Sequence, residues 1–262
     1  MIIISKPNKM SYNQAKTFHP IILLNTLGKL IEKVIAEKLQ FTVINNDFIH
    51  LSQLGGLKFK STTDARVALT HIVCSGWAKD KTTSMLTFDI SQFFPSLNHY
   101  LLTLILEKAG LEPRVSSFFA NYLVKRKTNY VWNNLTFPDF KVNIGVGQGS
   151  ALSPILSALY LTLFLYILKK HLNILKIPIS ILSFVDDGLF IAQNKFIDIS
   201  NAHLFCNYNV LSKLLIDFSL VIEHRKTEVF YFNRLHEIFN PYLSIFLWLV
   251  VHLYAPRILG NI

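Results

Sequence analysis

Apolar residues near the start of the chain recur at helical spacing. Leu24, Leu27, Leu30, Ile31, Val34, Ile35 and Leu39 mark one face; Lys29, Glu32, Lys33, Glu37 and Lys38 mark the other. This pattern predicts an amphipathic helix laid on a core. The preceding stretch, KPNKMSYNQAK, is polar and basic and reads as a loop or loose hairpin. Thr62–Trp77 predicts a second helix capped by Ser61 or Thr62. Met85–Asp89 reads as a strand, followed by ISQFFPSLNH and helices around Tyr100–Ala109 and Val115–Leu123. A strand pair is expected near Tyr130–Trp132 and Phe140–Ile144.

GVGQGSALSP then leads into a helix that starts at Ser153 and Pro154 and ends near Lys169 and Lys170. Leu182–Val185 and Leu189–Ala192 predict a hairpin with Asp186, Asp187 and Gly188 at its tip, Gly188 supplying the positive φ. A helix across Asn209–Phe218 and a strand from Leu220 to about Phe232 complete the pattern. Helices and strands fall in blocks rather than in strict βαβ alternation, so the fold class is α+β. The tail from Leu235 on, with FNPYLSIFLWLVVHLYAPRILGNI, loses patterned charge and gives no secure element.

Composition narrows the partners more than the fold. Half of the 262 residues are hydrophobic and 21 are Phe, ample for a core. Lys and Arg exceed Asp and Glu to give a net charge of +10, which favours polyanions and nucleic acid above all. The two cysteines, Cys74 and Cys206, have no metal-ligand spacing, which fits a reduced, intracellular protein. The N-terminal apolar run is too short for a signal peptide. Leu243–Tyr254 is shorter than a membrane span of about 20 residues. Ala151–Leu168 reads as a buried core helix. No membrane partner is expected.

The candidate chemistry lies in three acids. Asp89 ends one predicted strand, and Asp186 and Asp187 tip a hairpin. Read alone, Asp-Asp-Gly is an ordinary turn. With Asp89 beside it, the turn would supply carboxylates for Mg²⁺, which is bound by one or two acids plus substrate phosphates. Two such ions about 3.5–4 Å apart can activate an attacking hydroxyl and steady a leaving oxygen.

The order of motifs strengthens the second reading. LTFDISQFFPS, GVGQGSALSP, SFVDDGLF and KTEVF resemble reverse transcriptase motifs A, B, C and D. Upstream, FHPIILLNTLGKLIEKVIAEKL and QLGGLKFKSTTDA resemble fingers motifs of non-LTR (LINE-type) retrotransposons, particularly fungal ones. The resemblance covers roughly residues 5–232, with six motifs in order. It implies a right-hand polymerase with fingers over 1–84 and a palm over 85–232. The tail, 233–262, is expected to form no clear domain.

What the resemblance implies for residues is specific. Asp89, Asp186 and Asp187 match the metal-binding acids, and the Ile90 carbonyl would complete a metal shell. Phe94 matches the bulky gate against a 2′-hydroxyl, although Phe93 and Phe94 read alone could both be core. Gly147, Gln148, Gly149 and Ser150 match the loop that contacts nucleotide and template, although alone they are an unremarkable loop. Lys226 matches a lysine near the departing pyrophosphate, and Lys6 a basic residue facing the triphosphate; each reads alone as a surface lysine. The implied cofactor is Mg²⁺, with Mn²⁺ as a substitute. The implied partners are an RNA template with a DNA primer and deoxynucleoside triphosphates. Lineage points to nuclear action, although Lys125-Arg126-Lys127 is too short to count as a localisation signal.

The sequence also departs from the family pattern. His19 stands where an arginine grips the triphosphate, and it lacks the bidentate fork. Leu57 stands where another arginine is expected, with Lys58 and Lys60 keeping some charge. Past Phe232 no Tyr-Leu-Gly primer grip is seen, and the expectation is of a chain without thumb, endonuclease or ribonuclease H. Two functions follow. One is RNA-directed DNA polymerisation; the other is a truncated, inactive retrotransposon remnant that at most binds nucleic acid.

Overall fold

The computed structural model describes residues 1–8, 10–14, 17–124, 126–132 and 135–233, so the apolar tail from residue 234 lies outside the described residues. Two short strands, β1 (Ile2–Ser5) and β2 (Phe18–Ile21), open the chain. Helices α1 (Thr26–Asn45) and α2 (Thr62–Trp77) follow. Next come the long strand β3 (Thr82–Ser91) and helices α3 (Phe93–Ser96), α4 (His99–Lys108) and α5 (Pro113–Tyr122). Four short strands come after them: β4 (Arg126–Thr128), β5 (Val131–Trp132), β6 (Leu135–Thr136) and β7 (Phe140–Val142). Helix α6 (Ser153–Ile174), strands β8 (Ile179–Phe184) and β9 (Asp187–Asn194) and helix α7 (Ile197–Asp217) complete the main body. The described chain closes with β10 (Val221–Ile222), a 3₁₀ turn at His224–Lys226 and β11 (Glu228–Phe232).

The principal sheet is built around β3. On one edge β3 pairs antiparallel with β9, from Thr82 opposite Asn194 to Asp89 opposite Asp187, and β9 pairs in turn with β8. The other edge is shared: β11 runs beside residues 83–87 and β10 beside Ile90 and Ser91. A second sheet has the order β2-β1-β5-β6, and β4 pairs with β7 alone. The α+β expectation holds.

Helix α6 lies at the centre of the core, with Leu156, Leu159, Tyr160, Phe164 and Leu168 essentially inaccessible. It is long and apolar enough to cross a membrane, yet most of it is buried inside the protein. Side chains of this size contribute about 1.5–3 kcal/mol each when fully buried. Tyr160 donates its hydroxyl to the Phe218 carbonyl at 2.7 Å, and burial pushes its pKa up to about 12. The helix runs past Lys169 and Lys170 to Ile174.

Several expected elements differ. Helix α1 forms, with Asn25 accepting from the Gly28 amide at 2.6 Å as its cap. Part of its expected core face meets water, at Leu27, Leu30, Ile31 and Val34, while Ile35 and Leu39 of that face pack on the core together with Val43. Glu32, expected on the solvent side, is only 4% exposed. The helix carries two apolar stripes, and periodicity alone does not say which one turns inward.

The expected pairing of Tyr130–Trp132 with Phe140–Ile144 is absent from the described ladders. Strand β5 pairs with β6 and β1, and β7 pairs with β4, the charged Arg126–Thr128 segment for which the sequence pattern gives no element. The stacked rings of Tyr130 and Phe140, 4.8 Å apart, join the two segments. Helix α7 starts at Ile197 rather than Asn209 because Ser200 and Asn207, both fully buried, interrupt the apolar period. The strand expected over 220–232 is broken by the 3₁₀ turn at His224–Lys226.

Candidate active site

The β3–β9 register gathers the acids. Asp89 lies directly opposite Asp187, and the Ile90 amide donates to the Asp186 carbonyl at 3.1 Å. Residues paired across adjacent strands have Cβ atoms about 4.5–5.5 Å apart, so the register forces the Asp89 and Asp187 carboxylates together. Asp89 is buried, and the Lys226 ammonium forms an ion pair with its Oδ2. Burial pushes Asp186 up from the usual carboxylate value, and the charges of Asp187 and Asp89 push it further. Burial also raises Asp187, with Asp89 adding repulsion. The hydrogen bond to Asp89 raises Lys226 in turn. A cleft of about 490 Å³ opens on this cluster, lined by Ala65, Asp89, Asp187, Gly188, Arg225 and Lys226.

The turn that carries the acids differs from the expected one. Phe184 pairs with Asp187, so the two loop residues are Val185 and Asp186, and Gly188 sits inside β9. Val185 takes φ +59°, and Gly188 does not take a positive φ. A β-branched residue in that region is rare and costs roughly 1–2 kcal/mol. Gly188 is needed for another reason: a Cβ there would lie 2.1 Å from Cζ of Phe88, whose ring covers it.

Behind the turn runs the segment 52–56. Leu54 donates to the Ser183 carbonyl, Ser183 donates to that of Ser52, both at 2.8 Å, and a Cβ on Gly55 would lie 2.4 Å from the Val185 nitrogen. Gly55 thus lets the backbone press against the turn, while Gly56, at φ +73°, lies against the Pro154 backbone; neither role was assigned from the sequence, although the Gly-Gly pair was visible.

Motifs A and B are joined by main chain. Val146 donates to the Phe94 carbonyl at 2.8 Å, and Gly145 to that of Leu97 at 2.7 Å. Phe93 is buried in the core while Phe94 is half-buried, its ring 5.6 Å from that of Phe93. Phe94 is thus the more accessible of the two rings. Gln148 is held through its carbonyl, which accepts from the Ile22 amide at 2.8 Å; among the described residues its side-chain amide has no hydrogen bond. Gly149 is exposed with φ +94°. Ser150 is buried and donates to Glu32 at 2.6 Å. Glu32 and Tyr122, which also bonds it, were not identified from sequence; a glutamate inside the apolar spacing of α1 was the only signal.

The basic fingers residues stand apart from this cluster. His19 lies in β2 opposite Ile4, and Lys6 follows β1, its amide donating to Thr17 at 2.9 Å. His19 belongs to the second sheet and Lys6 lies just beyond its strand β1; the sheet meets motif B where Ile21 bridges Gln148. Leu57, in place of the expected arginine, is buried in the core.

The donor set decides which metal site is feasible. Among the described residues no three His, Cys, Asp or Glu side chains are grouped to enclose a metal ion. Asp186 and Asp187, both with raised pKa values, and Asp89, which holds the Lys226 ammonium, nonetheless form a site of unbalanced negative charge. That arrangement fits an open oxygen site completed by water and phosphate, the kind Mg²⁺ prefers, and does not fit a closed cage.

A buried acid in the central strand facing an acid-bearing turn on the next defines the palm of a nucleic-acid polymerase. The reverse transcriptase (RNA-dependent DNA polymerase) family matches residues 4–253, and the chain belongs to that family. The match continues past Phe232, where the motifs recognised in the sequence had stopped. The Pol polyprotein of the type-1 retrotransposable element R2 from Popillia japonica is 24% identical over 195 residues. Those residues are 72% of this chain and 27% of that protein, so the chain spans about a quarter of it. The chain is a reverse transcriptase domain, and the relative it resembles here belongs to a retrotransposable element.

Solved structures agree on the fold. Apo telomerase from Candida tropicalis, truncated of its C-terminal domain, superposes with a TM-score of 0.60 at 16% identity over 80% of this chain and 42% of that one. Telomerase from Candida albicans in complex with a fragment of telomeric RNA gives 0.59 at 14% identity, over 80% and 35%. The fingers-and-palm expectation is met.

Proposed function

We propose that this domain is an RNA-directed DNA polymerase that adds deoxynucleotides to a primer 3′-hydroxyl on an RNA template. The observation that carries the reading is the pairing of Asp89 with Asp187, with Asp186 on the adjoining turn and Lys226 on Asp89. In each addition a bond forms from the primer 3′-oxygen to the α-phosphorus. The bond from that phosphorus to the bridging oxygen breaks, the hydroxyl proton passes to water, and pyrophosphate leaves. Mg²⁺, or Mn²⁺ in its place, bound by Asp89, Asp186, Asp187 and the Ile90 carbonyl would lower the hydroxyl pKa and neutralise the phosphates.

The chain's own groups supply position and charge. Phe94 closes the sugar site against a 2′-hydroxyl, and Gln148 and Gly149 bring a free amide and an open backbone to the nucleotide. Lys226 offers a cation beside the acids for the departing pyrophosphate, and Lys6 another from the fingers. The net charge of +10 supports holding a template–primer by its phosphates. By family resemblance, residues 1–84 would act as fingers and 85–232 as palm, in a nuclear setting.

A second reading rests on His19 and Leu57. Without the two arginines, triphosphate binding weakens, and the domain would bind nucleic acid without extending it. One assay separates the two. Purified protein is given oligo(dT)-primed poly(rA), deoxythymidine triphosphate and Mg²⁺, with Asp186→Asn as control. Extension above the control supports the polymerase; retention of the primed template without extension supports the binder.

A further inference from the structure

We propose that Glu32 is a positioning residue that fixes the nucleotide-contacting loop Gly147–Ser150 to the fingers; the proposal deepens the polymerase reading and rests on it. An ionised carboxylate is kept inside a protein only where its oxygens are satisfied. Glu32, 4% exposed, meets that condition with donors from two other parts of the chain. The Tyr122 hydroxyl of α5 donates to Oε1 at 2.7 Å. The Ser150 hydroxyl and the Ala151 amide donate to Oε2 at 2.6 and 3.1 Å. No described cation forms an ion pair with it. The nearest guanidinium contact to this network, Arg126, lies over the Tyr122 ring at 4.7 Å instead.

The loop needs such a hold. Gly147 and Gly149 give it backbone freedom, with Gly149 at φ +94°. Its first half is anchored where Ser153 donates to the Gly147 carbonyl at 2.6 Å and Ile22 to that of Gln148 at 2.8 Å. Its second half is anchored by Glu32. Both Ile22 and Glu32 belong to the stretch that leaves β2, so Gln148 sits between two grips from one fingers segment. A shift of the fingers therefore carries the loop with it. Loss of Glu32 frees the half that bears Gly149 and Ser150, while the three catalytic acids stay on their own sheet.

The role is one of hydrogen bonding, so a glutamine can fill it. Its amide oxygen would accept from Ser150 and Ala151. Its NH₂ would donate to the Tyr122 hydroxyl, which in turn can reach Ser150 Oγ, 3.5 Å away.

The test uses Glu32→Ala and Glu32→Gln in the full chain, with primer-extension kinetics and amide hydrogen exchange. Glu32→Ala is expected to raise KM for the deoxynucleotide about tenfold with kcat within about twofold, while Glu32→Gln stays within about twofold in both. Exchange at Gly149, Ser150 and Ala151 should quicken in Glu32→Ala alone, with β3 and β9 amides unchanged. Unchanged KM and loop exchange in Glu32→Ala would overturn the proposal. So would loss of protection spread across β3 and β9, or equal damage in Glu32→Gln. If the wild type extends no primer, the polymerase reading fails, and exchange at the loop alone decides whether Glu32 holds it.

Discussion

The palm sheet and the fingers sheet carry the charged groups of the proposed reaction but are built to different standards. Strand β3 has ten residues, seven of them buried, with partners along both edges. Strand β1 has four, mostly exposed, paired along one edge with β2 and at a single residue with β5. The acids therefore sit on a rigid frame, where crowding negative charge costs stability that packing can supply. The basic side chains Lys6 and His19 sit on or beside a thin sheet joined to the palm chiefly through Ile21 and Ile22. Function at the acids tolerates little displacement, whereas a long cation can follow a moving phosphate.

Substitutions can break this contrast. The largest effect is expected in the palm core, where Phe190→Ala beneath Phe88 should cost about 3–5 kcal/mol in urea unfolding. Ile4→Ala, already half-exposed in β1, should stay within about 0.5 kcal/mol. Equal losses would remove the distinction. Asp186→Asn should lower primer extension by roughly 10²–10³-fold, the scale of losing one preorganised charged group, without unfolding the chain.

Gly188→Ala should destabilise by about 1–3 kcal/mol, because the added carbon meets the Phe88 ring, and extension should fall as Asp187 is pushed off register. In the fingers the change runs the other way. His19→Arg should lower KM for the nucleotide by roughly tenfold, since it restores a fixed cation with a bidentate fork.

The smallest effect is a pH slope in metal-free protein. Asp186 and Asp187 have raised pKa values when folded, so the folded state holds their protons longer than the unfolded state does. Stability is therefore undiminished by these groups below the ordinary value of 3.8 and falls as pH rises through the raised values. Thermal melts of wild type and Asp186→Asn should coincide at the acid end and diverge above it, with the variant melting higher at neutral pH. Added Mg²⁺ should narrow that gap.

Legibility in the sequence followed the same division. Helix α2 and the strands around Asp89 and Asp186 could be read because local pattern and buried environment agree there: short apolar runs end in acids or glycine. The α7 start was lost because Ser200 and Asn207 are polar yet buried. The charged Arg126–Thr128 strand was lost because it is short and half-exposed. The α1 face was misassigned because a buried Glu32 and an exposed Leu27 invert the usual rule, and only contacts distant in sequence fix which stripe faces inward. At the site, the acids and the Gln148 loop were visible as motifs. Their supports, Gly55 behind the turn and Glu32 beside the loop, come from segments far away in the chain and have no local signature.

The pressure of Gly55 on Val185 has a consequence for how such a sequence can drift. A side chain at position 55 would strike the Val185 nitrogen and Cγ2, at 2.4 and 2.8 Å. A glycine at 185 would ease the positive φ but leave the turn less constrained and remove part of what Gly55 rests on. Neither position can change alone without disturbing the acids next to it. Copies of such an element that accumulate substitutions should therefore lose or keep these two residues together, which makes the pair a marker of whether a lineage still selects for a working turn.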